Sequence, residues 1–125
     1  MRVLMTGTRE FRDAAKVGEA LKHIVANCPD NEPLFVVHYA TNMVDGYVDA
    51  FCKAAGIKVQ EITPDWRSDG KAALYRLAEK TIPGSDQVIL FGSDPVVEHS
   101  ITVANANGVK VSKVVPAQVL ETLPI

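Results

Sequence analysis

The chain alternates between short runs rich in apolar and β-branched residues and longer segments whose apolar residues recur at helical spacing. That alternation leaves few folds open. The spacing predicts five strands, at Arg2 to Thr6, Leu34 to His38, Ile57 to Ile62, Asp86 to Phe91 and Val109 to Val114. Several are near-continuous apolar runs, "VILF" at 88–91 among them, the pattern of a strand covered by helices on both faces. Val17, Ala20, Leu21, Ile24 and Val25 form the apolar stripe of a first helix, with Asp13 as its cap. Val44, Val48, Phe51, Cys52 and Ala55 repeat the spacing in a second helix capped by Asn42, which makes Cys52 core. A third helix is predicted over roughly Asp69 to Ile82, with Leu74, Leu77 and Ala78 inward. A fourth starts at Asp94-Pro95 with Val97, Ile101 and Ala104 inward, and a tail helix falls in "AQVLETL" after Pro116. The expected architecture is α/β: a Rossmann-like, mostly parallel five-stranded sheet with helices on both faces. Right-handed crossovers leave few topologies for such a sheet, and its ligands bind outside the carboxyl ends of the strands.

A length of 125 residues suits one domain, 1–125, and lets roughly two-thirds of the unfolded surface be buried. Thirteen Lys and Arg against 15 Asp and Glu give a net charge of -2, so no global positive field recommends nucleic acid as a partner. No apolar run approaches the ~20 residues of a membrane span. Cys28 and Cys52 form no CxxC pair, and no long apolar leader opens the chain; a reducing cytoplasm is the expected setting. His23, His38 and His99 are scattered without metal-ligand spacing, and Gly-x-Ser-x-Gly is absent. Neither a metal nor a cofactor is expected.

The first strand runs into "TGTREFRD", where Gly7 permits close backbone approach and Thr8 and Arg9 bring a hydroxyl and a guanidinium to the strand's end. Such donors suit an anionic oxygen, aided by the positive end of the next helix. The alternative is a tight turn in which Arg9 pairs with Glu10 or Asp13, since neither GxGxxG nor a Walker ending is present. His38 ends the second strand, suited to a ligand bond or to a backbone bond. Asp45 could accept from a ribose or stabilise its own helix. Gly92 and Ser93 follow the fourth strand. Trp66 is expected to cover a core edge. Within a solvated basic and acidic cluster, Lys71 and Arg76 are the residues that could face an anion.

These segments carry a resemblance. "MRVLMTGTREFRD" is similar to the opening Gly-Ser-Arg-Asp-Trp/Phe pattern of YspA-like (cpYpsA-related) proteins in the SLOG superfamily, named after the Smf/DprA and LOG proteins. "VVHYATNMVD" resembles that family's His-Gly-x-x-x-Gly-Ala-Asp segment, and "PDWRSDGKAALYR" its Asp-Trp and Gly-Lys-Ala-Ala stretch. The resemblance extends to about Val115 and implies a Rossmann-like fold, a pocket for nucleotides or nucleotide-derived ligands, and an origin in bacteria or their phages. Tyr39 and Met43 stand where the family has glycines, Val44 replaces its Ala, and Leu77 follows Arg76 where it has Asn. Bulky residues at 39 and 43 are expected to fill ligand space. Many members carry Gly-Gly-x-Gly-Thr after the fourth strand, where this chain reads "FGSDPVVEH". A glutamate just beyond that loop in the superfamily's phosphoribohydrolases invites comparison with Glu98.

Three readings follow. In the first, a binding module grips a nucleotide's phosphate with Gly7, Thr8 and Arg9, contacts the rest with His38, Asp45, Lys71 and Arg76, and closes through Gly92 and Ser93. The second is an enzyme cleaving a nucleotide N-glycosidic bond with Glu98 or Asp45 as its carboxylate. The third is a degenerate scaffold acting through protein contacts, as in a homodimer.

Overall fold

The computed structural model describes residues 1–115; the expected tail helix lies outside them. Strands β1 (Arg2–Gly7), β2 (Phe35–His38), β3 (Lys58–Glu61), β4 (Gln87–Phe91) and β5 (Lys110–Val114) form one sheet in the order β3-β2-β1-β4-β5. All four pairings are parallel, so the sheet is wholly rather than mostly so. The helices are α1 (Ala14–Asn27), α2 (Met43–Ala54), α3 (Trp66–Asp69), α4 (Ala73–Thr81) and α5 (Pro95–Ala106).

Alternation along the central strands explains their unbroken apolar character. In β1 and β4, Val3, Met5, Ile89 and Phe91 face a core filled by Val17, Leu21 and Ile24 of α1 and Val44, Val48 and Cys52 of α2. Leu4, Val88 and Leu90 face the opposite core, with Leu77 and Ala78 of α4 and Val97 and Ala104 of α5. Both faces are therefore covered, as expected. The edge strands read differently because they bury less: Lys58 and Glu61 in β3, and Lys110 in β5, stay exposed. Charges on an edge discourage pairing with another chain. Burial also pushes the Cys52 thiol up to about 11, which keeps it a protonated core residue.

All three expected caps form. The side chains of Asp13, Asn42 and Asp94 accept from the backbone N–H groups of Lys16 (3.2 Å), Asp45 (3.2 Å) and Val97 (2.7 Å). The third expected helix is corrected: Gly70, at φ 54°, ends α3, and a 3-10 turn at Gly70–Ala72 precedes α4. Trp66 is corrected too. It opens the four-residue α3 and is 54% exposed, because so short a helix has no core face to lend it. Val25, expected on the inner stripe of α1, is 48% exposed.

Candidate functional site

The connections from β1 and β4 diverge, through α1 toward β2 and through α5 toward β5, so a topological switch point opens at the carboxyl ends of these two strands. The strands meet there at contact distance. Gly7 pairs with Phe91, and the Thr8 N–H donates to the Phe91 carbonyl at 2.9 Å. A Cβ at Gly7 would lie 2.5 Å from that carbonyl oxygen and 2.9 Å from Val44 Cγ2. Gly92, at φ 98°, leaves its room to the buried Thr8 side chain. Both glycines thus serve the closure of the two strands.

The turn after β2 is a dense polar knot. His38 is buried and both its ring nitrogens are engaged: Nδ1 accepts from the Ala40 N–H at 3.0 Å, which places the proton on Nε2, 3.0 Å from Asp49 Oδ1. That bond helps hold Ala40 in the left-handed region at φ 58°, a conformation costing a non-glycine residue roughly 1–2 kcal/mol. Asp45, wholly buried, accepts from the Thr41 N–H (2.8 Å) and hydroxyl (2.9 Å) through Oδ2, while its Oδ1 has no partner. Asn42 donates to the Gly7 carbonyl at 2.6 Å, strapping the start of α2 to the end of β1.

Tyr39 points into the α4 and α5 core. Thr81 gives its hydroxyl proton to the Leu77 carbonyl (2.8 Å), so the Tyr39 hydroxyl donates to Thr81 Oγ1 at 2.6 Å. Burial pushes the phenol up to about 12, so it stays neutral. Beside it the switch point retains a cavity of about 30 Å³, lined in part by Thr6, Gly7, Tyr39, Thr41 and Asp94. That holds a water or so, not a sugar or a base. Met43, expected to fill the same space, is instead 47% exposed on the outer side of α2's first turn.

Arg9 is exposed, and among the described residues it pairs with neither Glu10 nor Asp13. Lys71 is exposed, and Arg76 is paired with Glu79 at 3.2 Å. Ser93 donates to Glu98 at 3.2 Å, and Lys113 reaches the same carboxylate oxygen at 2.9 Å. Lys113 first, then Ser93, hold the Glu98 carboxyl below the usual glutamate range, which suits an ionised carboxylate and not a proton donor. Among the described residues no group of three or more His, Cys, Asp or Glu could hold a metal, and no helix is long and apolar enough to cross a membrane.

Residues 1–68 match the family model YAcAr, described as the YspA, cpYpsA-related SLOG family. The chain belongs to that family. No curated protein shows significant similarity to it. The match spans β1 through the start of α3, and so includes both the Gly7 turn and the knot at His38 and Asp45. Sequence reading singles out several residues of this candidate site, but not three that organise its geometry: Asp49, Thr41 and Asp94. Asp49 was legible in retrospect, since it lies one helical turn beyond Asp45 on the face toward β2.

Lys53 and then His38 hold the Asp49 carboxyl below the usual aspartate range. A depressed carboxyl lends stability that is fully present above its unfolded pKa of about 4 and drains away as pH falls through the folded value. In urea titrations the stability gap between wild type and Asp49→Asn should therefore narrow as pH falls from neutral through the aspartate range. A gap independent of pH would show that these bonds do not favour the ionised form.

Proposed function

We propose that this SLOG domain binds a nucleotide or nucleotide-derived small molecule at the carboxyl ends of β1, β2 and β4. One observation carries the reading: Asp45, in the first turn of α2 after β2, keeps a wholly buried carboxylate oxygen without a partner, the one such side-chain atom among the described residues. A ligand hydroxyl, as on a ribose, is the donor such an oxygen lacks, and Thr41, which holds the other oxygen, also lines the cavity. Arg9 has no carboxylate partner of its own among the described residues and would take the phosphate at the rim. Asp94 and Asp13 already cap their helices, so Arg9 rather than a bare helix end supplies the positive charge. The small cavity means that the turn at Ala40–Asn42 must open for the sugar to reach Asp45.

The degenerate-scaffold reading has an observation of its own, the Tyr39 ring occupying ground that a glycine would leave free. Thermal unfolding with nucleoside monophosphates, ADP-ribose and NAD separates the two. A ligand present at ~100 times its dissociation constant stabilises the native state by about 2.7 kcal/mol, several degrees for a domain of this size. Wild type should shift with at least one of these ligands, and Arg9→Ala should lose most of the shift at the same concentration. If none moves the wild-type midpoint, the binding reading fails and the scaffold reading stands. Analysis of the bound mixture for released base then tests for N-glycosidic cleavage.

A further inference from the structure

The two ring nitrogens of His38 serve partners with opposite needs. Nδ1 accepts from the Ala40 N–H and Nε2 donates to Asp49 Oδ1, each at 3.0 Å, and a neutral ring satisfies both. A second proton has one place to go, Nδ1, where it turns the acceptor into a donor that faces another N–H. Asp45 and Asp49 lie one turn apart on α2, Lys53 reaches the other Asp49 oxygen at 2.7 Å, and Glu61 is the register neighbour of His38 on β3. β1 and α1 contribute apolar side chains to this side of the sheet, Met5 and Val17 among them. Burial disfavours a charged ring, but an ion pair with Asp49 offsets that cost. The bond that protonation must break is therefore the one to Ala40, the residue held at φ 58°. The next residue, Thr41, gives both its N–H and its hydroxyl to Asp45 Oδ2.

We propose that His38 is a pH-sensitive latch on the turn at Ala40–Asn42: protonation of Nδ1 releases Ala40 and loosens the Thr41 bonds that close over Asp45. The latch deepens the nucleotide reading given above, and rests on it only for what the uncovered carboxylate receives. The sign follows from linkage. The released turn is the form that carries the extra proton, so lower pH favours it. A ligand that requires the released turn then draws a proton onto the ring and binds more tightly below neutral pH.

Amide exchange at Ala40 and Thr41 tests the latch, followed by NMR on the ligand-free full chain from about pH 8 to about pH 5 and corrected for its intrinsic pH dependence. Protection at both residues should fall by about tenfold or more, while that of Val37 in β2 should hold. The midpoint of the fall should coincide with that of the His38 ring-nitrogen shifts. Asp49→Asn should move both midpoints to lower pH, because the charged ring loses its partner. His38→Asn keeps an acceptor where Nδ1 stood and cannot titrate, so its protection should stay level. A ring that titrates while protection at Ala40 stays level overturns the proposal. So does a ring that remains neutral down to acid unfolding, or a fall of equal size in His38→Asn. With no ligand present the two readings fail separately. A turn that loosens with His38 in a chain whose melting no nucleotide shifts sinks only the binding reading; level protection in a chain that nucleotides do stabilise sinks only the latch.

Discussion

Gly7→Ala should destabilise the chain by about 3 kcal/mol or more, the upper part of the range for forcing volume into a close-packed interior. The new methyl would meet a main-chain oxygen at 2.5 Å, the Phe91 carbonyl that already accepts from the Thr8 N–H, and Val44 Cγ2 and Phe91 Cβ at 2.9 Å each. None of these is the free end of a flexible side chain. Relief would require β1 and β4 to part at the centre of the sheet, where Phe91 also packs on Phe11 with ring centroids 5.4 Å apart. Gly46→Ala is the matching control. It lies exposed inside α2 with nothing within 4 Å of an added Cβ, and should stabilise by about 0.5–1 kcal/mol through helix propensity. Urea midpoints of the two variants should move in opposite directions; a Gly7→Ala midpoint at the wild-type value would mean that the two strands do not close at this point.

Tyr39→Ala should cost about 3–5 kcal/mol, as large aromatic truncations in cores do. The phenol is 2% exposed, packs with the α4 and α5 core, and donates to Thr81, whose own proton is committed to Leu77. The space vacated joins the cavity of about 30 Å³ at the switch point. The same substitution should therefore enlarge the nucleotide-induced rise in melting temperature, measured against each variant's own ligand-free midpoint. Loss of stability without any gain in ligand response would separate the ring's packing from control of the site. A cost below about 1 kcal/mol would contradict the packing itself.

The sheet was legible because β1, β2 and β4 are buried on both faces, which forces consecutive apolar residues whatever the neighbouring loops do. The caps at Asp13, Asn42 and Asp94 were legible for a similarly local reason: each needs only a short acceptor three residues before a free N–H. Trp66 and Val25 were misplaced because hydrophobicity says that a side chain gains from burial, not that a neighbour is present to bury it. The break at Gly70 was hidden by the helix-favouring run Lys71-Ala72-Ala73-Leu74 that follows it. At the site, Tyr39 and Met43 looked equivalent as bulky replacements, yet one ends inside and the other outside. Tyr39 continues the strand's alternation from Val37 into the core, whereas Met43 starts a helix whose stripe begins at Val44. The bonds that tie His38 to Asp49 and Thr41 to Asp45 depend on how the turn folds, which pattern alone does not encode.

The Asn42 strap has a kinetic consequence. The same side chain caps α2 and holds the last carbonyl of β1, so freeing the turn around Asp45 also frays the first turn of the helix and releases the neighbouring strand end. Access to the buried carboxylate is then a cooperative opening and not a rotamer flip, which places it among slower motions of microseconds or longer. A molecule arriving at this edge would be admitted at a pace set by the protein rather than by diffusion.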